Sequence, residues 1–89
     1  MPFTITPKAS VASVATHVVQ NHSRQESATL LSDMYGKQME YMLASLASGD
    51  NKATIKFAEN IADIVTIAKA HNIHRDMHVA RIKAMPYRG

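Results

Sequence analysis

Apolar residues recur at helical spacing along most of the chain. The pattern predicts an all-α protein. An extended arm occupies 1–6, helices follow over 7–20, 24–47 and 52–71, and a basic helix covers 74–85. Only Ser48-Gly49-Asp50-Asn51 separates the two long helices, so they form an antiparallel hairpin. Gly49 suits the left-handed position after a helix end, and Asp50 or Asn51 then caps the next helix.

The first helix places Val11, Val14, Ala15, Val18 and Val19 on one face. Thr6-Pro7 is a natural start, because threonine caps free amides and proline has no amide to leave unpaired. The valines lower its intrinsic helix preference, so packing must hold it. Ahead of it, Phe3 and Ile5 can anchor the arm on a neighbour. Ser23-Arg24-Gln25-Glu26 then matches a capping box.

The second helix is apolar over an unusually wide arc. Ala28, Leu31, Tyr35, Met39, Met42 and Leu46 share one side, and Leu30, Met34, Tyr41 and Leu43 extend it past half the circumference. Asp33, Lys37 and Glu40 form a narrow polar strip, in which Asp33 and Lys37 are spaced to pair. A surface helix of a small monomer needs only about a third of its circumference apolar. The excess points to self-association or to a helical partner, with Tyr35, Met39, Tyr41, Met42 and Leu46 as the predicted interface. Methionines suit such a role, being flexible and polarizable. Gly36, inside the helix, either permits close approach of another element or is simply tolerated.

Phe57, Ile61, Ile64, Val65 and Ala68 make the core stripe of the third helix. Ile67 lies outside it, with no obvious home in a monomer. The stripe stops near Asn72. Either the chain turns there, since asparagine tolerates the left-handed conformation, or the helix runs on beyond the core.

Length and charge narrow the picture. Eighty-nine residues make one domain, whose stability as a lone monomer is marginal. There is no cysteine, hence no disulfide and no thiolate metal site. The formal net charge of +3 is uneven. The centre is mildly acidic, whereas residues 69–89 carry Lys69, Arg75, Arg81, Lys83 and Arg88 against Asp76 alone. Such a tail invites an anionic partner. Ala68, Asn72 and Ile73 fit the first part of a helix-turn-helix, but Val79 and Ile82 each come one residue late, which turns the reading face by about 100°. Arg75, Arg81 and Lys83 are the candidate nucleic-acid contacts.

Candidate chemistry is sparse. His71, His74 and His78 would share a face on an unbroken helix, and His74 and His78 have the spacing of shared metal ligands or of a pH-sensitive contact. The glutamate of the zinc-protease pattern is missing and no fourth ligand is evident, so no metal site is assigned. No phosphate-binding glycine loop, nucleophile or catalytic carboxylate pair is recognisable, and neither a cofactor nor a small-molecule substrate is inferred. Gln38-Met39-Glu40-Tyr41-Met42 resembles a stretch of type III secretion inner-rod subunits. The likeness ends with those residues and carries no fold or activity to the rest of the chain.

No basic segment followed by an apolar run opens the sequence, and no apolar run is long enough to span a membrane. The expected location is the cytoplasm, with signal-independent export left open. The expected function is a non-enzymatic interaction or structural subunit that self-associates or joins a larger helical assembly. The alternative is a small DNA-binding or regulatory protein using its basic C-terminal helix.

Overall fold

A computed structural model describes residues 10–85. They form four α-helices and no strand: α1 (Val11–Asn21), α2 (Arg24–Ser48), α3 (Asn51–Ala70) and α4 (His74–Ala84). The expected arm and the Thr6-Pro7 helix start lie outside the described residues. Within them, α1 begins later than its sequence suggests. Ser10 is extended (φ −69°, ψ 156°), and its hydroxyl accepts the Ser13 amide at 3.0 Å, so a serine cap sets the start.

The other helix ends follow local chemistry closely. The capping box of α2 is complete: Ser23 Oγ accepts from the Glu26 amide at 3.1 Å, and Glu26 Oε1 accepts from the Ser23 amide at 3.2 Å. Gly49 (φ 77°) closes α2, with its amide donating to the Leu46 carbonyl and the Asp50 amide to the Ser45 carbonyl. Asp50 then caps α3 through the Ala53 amide.

The same device ends α3. Asn72 takes φ 63°, its amide donates to the Lys69 carbonyl and the Ile73 amide to the Ala68 carbonyl. Ile73 and Ala68 are both buried, which supplies the apolar contact that accompanies this motif. The chain therefore turns at Asn72.

The α2–α3 hairpin is the spine, and α1 and α4 pack on its separate flanks: α1 mainly against α3, α4 mainly against α2. Ala15, Val18, Ala28, Leu31, Ile64, Ala68, Ile73 and Met77 form the buried apolar set. Its hairpin members, Ala28, Leu31, Ile64 and Ala68, all lie in the half remote from Gly49. Ile67 packs against this core, contrary to the expectation that a monomer has no place for it. The physical reason is α1, which covers a second flank of α3 and widens its buried arc. Likewise α4 is held by Met77, fully buried, and not by Ile82, which is 68% exposed. Of the two expected second-helix anchors, Val79 is half-buried and Ile82 is exposed.

Among the described residues the one ion pair joins Arg24 Nε to Asp76 Oδ2 at 3.2 Å. Arg24 also donates to the Asn72 carbonyl, strapping the α3–α4 turn to the start of α2. Both side chains of the pair are well exposed, so it contributes at most about 1 kcal/mol. Asp33 and Lys37 do not pair. They line a shallow hollow with Gly36, Glu40 and Arg81.

Candidate functional site

The distal half of the hairpin, residues 38–60, is built differently from the half that carries the core. Neither α1 nor α4 contributes to its buried set, and its one buried residue is a serine, Ser45. The surface where its helices meet mixes polar and apolar side chains, with Met39, Met42, Ala53 and Phe57 half-buried beside Gln38, Thr54 and Asn60. Ser45 Oγ and Thr54 Oγ1 are 2.7 Å apart, and Asn60 Nδ2 donates to Gln38 Oε1 at 3.0 Å. One aromatic contact, Tyr41 with Phe57 at 5.4 Å between ring centroids, completes it.

The large aliphatic groups of this half point elsewhere. Leu43 is 57% exposed, Leu46 54% and Ile55 59%. Leu43 and Leu46 project from the flank of α2 that carries Met39, whereas Ile55 sits on the opposite side of α3 from Ile64. The Gly49 and Asp50 caps and the Ser45–Thr54 bond hold the hairpin end together beneath these side chains.

The predicted interface residues divide accordingly. Leu46 and Tyr41 are exposed, and Met39 and Met42 are half-buried. Tyr35 is drawn inward: it packs against the core, and its ring meets His78 edge-on at 5.5 Å. Leu43 and Ile55 are exposed as well, although neither is among the predicted interface residues. The signal for Ile55 was present as an isoleucine on the wet face of α3, between Lys52 and Glu59.

The three basic candidates also divide. Arg75 and Lys83 are exposed on α4. Arg81 instead lies across α2 and donates from Nη1 to the Ser32 carbonyl at 3.1 Å. Its guanidinium rests over Gly36, where an added Cβ would overlap it. Gly36 therefore permits a close approach, and Arg81 is committed to the fold.

The turn at Asn72 separates the histidines. His71 is exposed and shares a hollow with Val19, His22, Arg24, Ser27 and Ile73. His74 and His78 come together on α4, with their Nε2 atoms 3.1 Å apart. Desolvation lowers the pKa of His74 below its ordinary 6.5, and the nearby His78 and Lys69 push it the same way.

Among the described residues, no group of three or more histidine or acidic side chains is placed to hold a metal ion. Nor is any helix among them long and apolar enough to cross a membrane. No family model, curated protein or solved structure matches the chain.

Proposed function

We propose that this chain is a non-enzymatic interaction subunit whose distal hairpin half docks on a second helical surface, either another copy of itself or a different helical protein. The carrying observation is at residues 38–60, where Leu43, Leu46 and Ile55 stay exposed while the Ser45–Thr54 and Gln38–Asn60 pairs share the helix contact with Tyr41 and Phe57. Burying Leu43 and Leu46, which share one flank of α2, in a partner removes apolar surface from water at roughly 25 cal/mol per Å².

Solution mass tests this directly. By light scattering the wild type is expected to be larger than one chain, or to become so when a helical partner is added. Leu43→Glu combined with Leu46→Glu is expected to return it to a monomer with unchanged helical content. A wild type that stays monomeric and binds no helical protein overturns self-association and partner binding together.

The nucleic-acid alternative has less support, because Arg81 is engaged with α2 and leaves Arg75 and Lys83 as the free cations of the candidate trio. Two phosphate contacts would give only a shallow salt dependence, with a slope near about −1.8 on logarithmic axes. Absence of a mobility shift at low salt would dispose of it.

A further inference from the structure

His74 and His78 stand one turn apart on α4, and their Nε2 atoms approach to 3.1 Å with the rings nearly perpendicular, at 84°. Two imidazole nitrogens aimed at each other either share a proton or share an electrophile. We propose that this pair is a two-point chelate for a first-row transition-metal ion, taking Cu(II) in preference to Zn(II).

The distance fits. Imidazole nitrogens bind these ions at about 2.0–2.1 Å, so a separation near 3 Å corresponds to an N–metal–N angle of about 98°. That value lies between the right angle of tetragonal Cu(II) and the wider angle of tetrahedral Zn(II), and a small χ rotation reaches either. The rings are also constrained. Both residues are half-buried, and the Tyr35 and His78 rings pack nearly perpendicular with centroids 5.5 Å apart, so α2 limits where the His78 imidazole can point.

The donor set selects the metal class: two imidazoles without a carboxylate suit copper, nickel and zinc, whereas calcium and magnesium require oxygen ligands. Lys69 lowers the affinity for any dication. With two protein ligands the remaining coordination positions fall to water or to an exogenous donor, so the ion is exchangeable and not a structural staple. His71 takes no part, because the turn at Asn72 puts it in the hollow with His22.

The test uses the full chain at pH 7.5, titrated with CuCl2 and, separately, with ZnCl2 by calorimetry. One Cu(II) per chain is expected, with an electron paramagnetic resonance spectrum showing two equatorial nitrogens, and Zn(II) is expected to bind more weakly. His74→Gln and His78→Gln each reduce a chelate to a single imidazole and are expected to weaken Cu(II) binding by about 100-fold. His22→Gln and His71→Gln are expected to bind as the wild type does. Circular dichroism checks that each variant is folded. In the wild type, the ring proton resonances of His74 and His78 are expected to shift together on adding Zn(II), a readout that needs no variant. Binding that survives the His74→Gln, His78→Gln double substitution overturns the proposal. So does binding lost with His22 or His71, or a wild type that binds no better than its single variants. In that last case the pair merely shares a proton.

Discussion

Arg81 closes over Gly36. A Cβ on Gly36 would overlap the Arg81 Nη1 and lie 2.9 Å from its Cζ, while that same Nη1 donates to the Ser32 carbonyl one turn earlier on α2. Alanine at 36 should gain about 1 kcal/mol of helix preference but evict the guanidinium. The two effects oppose each other, so Gly36→Ala is expected to change stability little on its own. In an Arg81→Ala background it should stabilise by about 1 kcal/mol. Denaturant unfolding of the double-mutant cycle measures the difference, and an additive result would show that the two residues do not touch.

The same contact separates the three candidate cations by stability alone. Arg81→Ala should cost about 1 kcal/mol, because a charge-assisted hydrogen bond and the cover over α2 are lost. Arg75→Ala and Lys83→Ala should stay within about 0.5 kcal/mol of wild type. Equal effects at all three positions would mean that Arg81 is as solvated as the others.

Asn72 holds φ 63°, a conformation that costs a side chain other than asparagine or aspartate about 1 kcal/mol. Asn72→Gly is therefore expected to leave the melting temperature unchanged or raise it, whereas Asn72→Ala should lower stability by about 1 kcal/mol. A neutral alanine variant would argue that the turn relaxes easily to another geometry.

Ser32 Oγ is buried and has no hydrogen-bond partner, so its desolvation is uncompensated. Ser32→Ala is expected to be neutral or to stabilise by up to about 1 kcal/mol in chemical denaturation. The Arg81 contact should survive, since it uses the Ser32 carbonyl. A loss of 1 kcal/mol or more would show that the hydroxyl is bonded after all.

The two halves of the hairpin should respond oppositely to substitution. Leu31→Ala empties a fully buried site and should cost about 2–5 kcal/mol. Leu46→Ala, in dilute solution where the chain is monomeric, should cost less than about 0.5 kcal/mol. If both are severe, Leu46 is covered within the single chain and the exposed distal face does not exist.

Much of the fold was legible in the residues because it is local. The capping box at Ser23 and Glu26, the glycine after Ser48 and the asparagine at 72 are short-range hydrogen-bonding devices, and each ends or begins a helix where its chemistry requires. The helical period placed Leu31, Ile64 and Ala68 inside for the same reason. The helical period also gives α2 an apolar arc wider than two neighbouring helices of a small domain are expected to cover.

What only tertiary packing could decide was where that surplus lies. Helical period says which residues share a face. It does not say which helix will cover the face, because that depends on where α1 and α4 land. They land at one end, so Tyr35 and Ile67 find cover there while Leu43, Leu46 and Ile55 do not. Arg81 looked like a free cation for the same reason, since its use depends on a glycine 45 positions away in the chain. The exclusion of His71 follows from one left-handed residue, Asn72, between it and His74, whereas the approach of His74 to His78 is the ordinary four-residue spacing of α4.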